Sequence, residues 1–207
     1  MKYDGKLFQF ILFFSRMAAL NILWAVCCIP LLTAGSATAA LYYALWKLRN
    51  GEDGHLFRQY WKQFCANLRC GVPMTGMMAV LGLVCLYFAL SFLGALEVPL
   101  VFRILLGAYT LVYLLISGVL WPLLGHFQNR VSGYFTSAAN IVLRNFPAVL
   151  FSAVVELIPL LMCWLLSDRW LAVLLIYVLI GRACTALLND VVLMRVFERY
   201  IVLEAEL

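Results

Sequence analysis

Few side chains in this sequence are equipped for chemistry. Glu156 stands alone inside an apolar run that starts near Phe146. A carboxyl group in such surroundings is costly unless it holds a proton, binds a cation or meets a counter-charge. Two arginines next to apolar runs, Arg16 and Arg182, are the available counter-charges. Glu156 therefore reads either as a proton- or cation-handling group or as half of a structural ion pair. Asn21, within the first apolar run, can hydrogen-bond from helix to helix. Asn140, Asn189 and Asp190 lie nearer the ends of their runs. His55 and His126 are isolated, and the seven cysteines contain no CxxC pair. All but Cys65 fall in or beside apolar runs, where a cysteine behaves as a small hydrophobe. Neither a metal site nor a disulfide framework is expected. GxxxxGK[ST], GxSxG and HExxH are all absent, so the expectation is a protein without enzymatic activity and without a cofactor.

The elements that would position these groups follow from composition. Of 207 residues, 66% are hydrophobic and 12% charged. Soluble domains carry about 25% charged residues. A chain this apolar cannot hide its surface from water by folding alone, so the lipid bilayer is its expected partner. The apolar runs are long and do not alternate, which excludes a β-barrel. The fold class is all-α: one polytopic transmembrane helical bundle over residues 1–207. Its spans or half-spans are 7–32, 36–46, 70–93, 99–124, 146–166 and 170–188.

Orientation follows from the distribution of basic residues. Lys47, Arg49, Arg58, Lys62, Arg69, Arg130 and Arg144 fall in loops on one side, together with Lys2, Lys6, Arg195 and Arg199 near the termini. Arg16 and Arg182 border spans on that same side. Only Arg103 and Arg169 of the fifteen Lys and Arg lie opposite. Both termini are therefore expected in the cytoplasm. The basic start, the apolar run and Ala34-Gly35-Ser36-Ala37 mimic a signal peptide, but Arg16 within the run argues against one.

The stretch PLLTAGSATAALYY, residues 30–43, is rich in small residues. Ser36, Ala40 and Ala44 recur every four positions, a stripe that lets helices approach closely. Pro30 ends the first helix, Gly35 permits the reversal and Ser36 is placed to cap the second. This is a tight helical hairpin. From Met17 to Leu32 a helix measures only about 24 Å, against about 30 Å of hydrocarbon. Either the hairpin is re-entrant, or the first helix starts before Arg16. Broken helices line transporter sites, whereas plain packing needs no function.

Two segments resemble each other. GHLFRQYWKQFCANLR, residues 54–69, places Leu56, Phe57, Tyr60, Trp61, Phe64 and Leu68 on one face, with Arg58, Gln59, Lys62 and Asn67 away from it. RVSGYFTSAANIVLRNFP, residues 130–147, repeats the pattern with Tyr134, Phe135, Ala138, Ile141 and Val142. An offset of 78 aligns Phe57 with Phe135 and Asn67 with Asn145. Each reads as a basic amphipathic helix on the cytoplasmic surface, leading into a span. The unit of amphipathic helix plus membrane hairpin is thus used twice, with a weaker third copy at the N-terminus. Beside a membrane, anionic lipid is a simpler partner for these helices than nucleic acid, which is not expected.

Residues 21–71 resemble the YesL-like bacterial membrane proteins, a family of unknown function. The resemblance rests on Pro30, Thr33, Gly35, Ala37, Thr38, Ala40, Leu41 and Tyr42, then on Tyr60, Phe64 and Asn67 of the polar helix, and on VFERY at 196–200. It implies a retained hairpin and no established catalytic residues. It also implies association with carbohydrate ABC importers, beside whose genes such proteins are found. Two functions follow as expectations. One is a non-enzymatic accessory to carbohydrate import that docks permease subunits through Tyr60, Trp61, Phe64, Asn67, Phe135 and Asn145. The other is a small autonomous transporter or channel, possible as a homo-oligomer, built around Glu156.

Overall fold

The computed structural model describes residues 5–52, 54–92, 94 and 98–205. Lys2, and Leu93 at the end of the third apolar run, lie outside the described residues. The described chain is all-α, with no strand among the described residues. Helix α1 covers Lys6–Cys27, and a 3-10 turn over Leu31–Thr33 leads into α2, Ala34–Arg49. Then come α3, Leu56–Phe92; α4, Leu100–His126; α5, Val131–Arg144; and α6, Phe146–Leu165. The last hairpin arm is α7, Trp170–Ile176, a π-helical turn over Tyr177–Gly181, and α8, Arg182–Ala205.

Five stretches are long and apolar enough to cross a membrane: Leu7–Cys27, Leu56–Phe92, Leu100–His126, Phe146–Leu165 and Trp170–Arg199. Their apolar side chains face outward in large number, among them Phe10, Val80, Leu105, Leu161 and Ile176. Polar side chains such as Asn21, Arg182, Asn189 and Asp190 are buried instead. Apolar outside and polar inside is the pattern of a bundle solvated by lipid, and the chain is a multi-pass membrane protein.

Helix α2 is the centre. It packs on α1, α3, α4 and α8, and nearly every residue from Gly35 to Leu45 is buried. Its small residues explain this. A Cβ on Gly71 of α3 would stand 2.2 Å from Ser36 Oγ and 3.1 Å from Ser36 N. A Cβ on Gly125 of α4 would stand 2.5 Å from the Ala39 carbonyl oxygen. The helix backbones touch at both places, as small-residue interfaces permit. Ala40 and Ala44 are fully buried in the same interface region.

Two details of the hairpin differ from the expected ones. Ser36 does not cap α2: its hydroxyl donates across to the Asn67 carbonyl of α3, 3.3 Å away. Thr33 closes the turn: its hydroxyl lies within donating distance of the carbonyls of Cys27 (2.6 Å) and Pro30 (2.7 Å). Gly35 is helical, and its role is space. A Cβ there would come within 2.3 Å of Thr75 Oγ1 and the Trp121 ring. Helix α1 does start before Arg16, and its 22 residues measure about 33 Å. The 16 residues of α2 measure about 24 Å, less than a hydrocarbon core. The Gly35 N–H meets Thr75 Oγ1 at 3.1 Å, and α3 continues about 25 Å beyond that level to Phe92.

The two repeat-like segments fold differently. Residues 56–69 run without a break into the following span, giving one helix of 37 residues. At the corresponding place after α5 the helix stops at Asn145 (φ −129°, ψ 43°) and α6 begins. Pro147 is the cause. It lacks an N–H and clashes with the carbonyl four residues earlier, and the first segment has Arg69 at the matching position.

Candidate functional site

Glu156, on α6, meets partners from two other helices, α2 and α8. Its Oε2 accepts from Arg182 Nη1 at 2.5 Å. Its Oε1 accepts from Asn189 Nδ2 at 3.2 Å and from the Tyr42 hydroxyl at 3.3 Å. The Arg182 guanidinium also lies over the Tyr42 ring, 5.9 Å from its centre. Of the two arginines considered from sequence, Arg182 is the one paired with Glu156; Arg16 is half-buried on α1. Arg182 and Asn189 are seven residues apart on α8, two helical turns, so both reach the same face.

A second ion cluster adjoins the first. Asp190 Oδ1 lies 2.8 Å from His126 Nε2, and its Oδ2 lies 3.1 Å from Arg49 Nη1. His126, isolated in sequence, thus closes the end of α4 onto α8. Its ring also meets Trp46 of α2 and Phe197 of α8. The cluster draws on α2, α4, α6 and α8. Two carboxylates face two guanidiniums, so the buried charges are balanced, as burial demands.

The π-helical turn sets the direction of Arg182. One extra residue in a helix rotates everything after it by about 100°. Such a turn leaves backbone groups without helical partners, and Asn21 supplies them. Its Nδ2 donates to the carbonyls of Tyr177 (3.0 Å) and Val178 (2.7 Å), and its Oδ1 accepts from the Ala183 N–H at 2.7 Å. Asn21 is the clamp that holds α1 to the bulge and, through the bulge, positions Arg182.

The surface residues expected to dock a partner are mostly turned inward. Leu56, Tyr60, Phe64, Asn67, Gly71, Met74 and Met78 form one continuous buried stripe on α3, spaced three or four residues apart as a helix face requires. α2 covers its first half, where the Tyr60 hydroxyl donates to the Ala37 carbonyl at 3.3 Å. Asn67, assigned from sequence to the polar side, belongs to this stripe. Trp61 and Phe57 point the other way and are each 54% exposed. On α5, Tyr134, Ala138 and Ile141 are buried in the core that α4 helps to build, and Phe135 is half-buried against it. Burial raises the Tyr134 phenol above its ordinary pKa. Asn145 caps the start of α6 with its carbonyl, accepting from Ala148 and Val149. Sequence reasoning missed Tyr42, Arg49 and the His126–Asp190 contact. The spacing of Arg182 and Asn189 was the one visible signal.

No three His, Cys, Asp or Glu side chains gather as a metal site among the described residues. All seven cysteines are free; Cys65 is exposed, Cys27 buried and the others half-buried.

Residues 17–89 match the family described as "Protein of unknown function, DUF624". The match spans the second half of α1, all of α2 and most of α3, and it agrees with the YesL-like resemblance of residues 21–71. It includes Asn21, the hairpin and Asn67, but not Glu156 or Arg182. No curated protein and no solved structure matches the chain.

Proposed function

We propose that this chain, which carries the DUF624 pattern across its hairpin and first long helix, is a non-enzymatic accessory of carbohydrate ABC import. In this reading it lies in a bacterial inner membrane with both termini in the cytoplasm. The observation that carries the reading is the outer face of α3. With Tyr60 and Phe64 packed on α2, the opposite side offers the half-exposed rings of Phe57 and Trp61 beside exposed Arg58 and Lys62. Exposed aromatic rings flanked by cations suit a partner surface at the membrane boundary. The YesL-like resemblance supplies the partner class, the permease subunits.

The test is crosslinking through Lys62 in native membranes, followed by affinity purification in mild detergent. Recovery of permease subunits, reduced by Trp61→Ala, is the expected result. No importer component in the eluate, with sugar uptake unchanged on deletion, overturns the reading. The Glu156–Arg182 pair, with Arg182 buried and Glu156 half-buried, favours a second reading, a small autonomous transporter or channel. Solute flux in proteoliposomes that is lost in Glu156→Gln would replace the first reading with this one.

A further inference from the structure

A crevice of about 210 Å³ opens between α3 and the link joining α4 to α5. Asn67, Arg69, Cys70, Gln128, Asn129 and Tyr134 are among the residues lining it. The link is held in place from within. The Tyr134 hydroxyl donates to the Phe127 carbonyl at 2.8 Å and accepts from the Asn129 N–H at 3.0 Å. Asn129 Oδ1 accepts from the Arg130 N–H at 2.7 Å. The walls are therefore preformed.

What remains unused is a set of donors. Asn67 is 7% exposed, and its Nδ2 is buried with no hydrogen-bond partner among the described residues. An orphaned buried donor is expensive and calls for an acceptor. The Arg69 side chain stands exposed at the rim, and Gln128 adds an exposed amide. No acidic residue lines the crevice. α5 begins at its edge without any side-chain cap, so the positive end of that helix adds to the field.

The geometry points to a binding site for a phosphate-type oxyanion in this crevice, with the Asn67 amide at its base and the Arg69 guanidinium at its rim. The phosphate of an anionic lipid headgroup and a soluble phosphate share this chemistry. The site does not depend on the importer reading.

The test is thermal unfolding of the full chain in dodecyl maltoside. Inorganic phosphate and dihexanoyl phosphatidylglycerol are titrated separately, against sodium chloride at equal ionic strength. A saturable rise in melting temperature with phosphate or the lipid, absent with chloride, is expected. Arg69→Gln should weaken half-saturation about tenfold, the loss of one charge-assisted hydrogen bond. Asn67→Leu should abolish the rise while leaving the unliganded melting temperature unchanged or higher, because leucine removes the orphaned donor. A response to phosphate alone assigns a soluble oxyanion, and a response to lipid alone assigns a headgroup. No saturable rise with either probe, or equal rises in wild type and Arg69→Gln, overturns the proposal. Arg69 is exposed, so its variant tests the site whether or not Asn67→Leu folds.

Discussion

Replacing Glu156 with Gln leaves the Arg182 guanidinium inside the bundle beside Tyr42 and Asn189, with its paired carboxylate gone. Breaking one half of a buried pair typically costs about 3–5 kcal/mol, because the other charge stays buried alone. Glu156→Gln and Arg182→Met should each destabilise by about that much. The double variant should cost clearly less than the two together. Unfolding in mixed micelles measures all three. Additive losses would mean that the two groups do not depend on each other. This pairing was half legible in the sequence. A lone carboxylate in an apolar run announces itself, and two arginines were in reach. The choice of Arg182 over Arg16 was not legible, because it depends on the π-helical turn, and no residue pattern marks that turn. Tyr42 and His126 were equally invisible. Their partners lie on distant helices, and a single tyrosine or histidine in an apolar segment looks like any other.

At the scale of the helix, the glycines of α3 and α4 decide how closely α2 can sit. Gly71→Ala would push a methyl group into Ser36, and Gly125→Ala would push one into the Ala39 carbonyl. Overpacking of this kind typically costs about 1–3 kcal/mol. Gly76, one and a half turns along α3 from Gly71, has nothing within 4 Å of its Cβ position. Gly76→Ala should therefore leave the melting temperature unchanged or raise it, since alanine is the better helix former. Equal destabilisation by all three would show that helix propensity, not the close approach, dominates. The stripe Ser36, Ala40, Ala44 made the tight approach legible from one side. Its partners Gly71 and Gly125 were not, because isolated glycines do not say which neighbour they admit. The amphipathic helix over 54–69 was legible as a helix, but its faces were not sorted correctly. Aromatic residues occupy both sides of it: Tyr60 and Phe64 fill the core against α2, while Phe57 and Trp61 face out. A hydrophobicity pattern cannot separate a ring buried in protein from a ring exposed at a membrane boundary.

For the whole molecule, the question is which end faces the cytoplasm. Exposed Arg58, Lys62, Arg69, Arg130 and Arg144 cluster around the near end of α3 and the two ends of α5. Arg103 and Arg169 lie at the start of α4 and at the α6–α7 turn. The positive-inside rule assigns the first group to the cytoplasm. Cys65 stands on α3 among those exposed basic residues and is exposed itself, whereas the other six cysteines are buried or half-buried. It is a native reporter of sidedness. A membrane-impermeant maleimide should label Cys65 in inside-out vesicles and leave it unlabelled in intact cells, and Cys65→Ser should remove that label. Labelling in intact cells would reverse the topology and put Arg103 and Arg169 inside. It would also remove the outer face of α3 from the compartment where the ATPase subunits of an importer work. The importer reading would then have to rest on contacts made within the membrane.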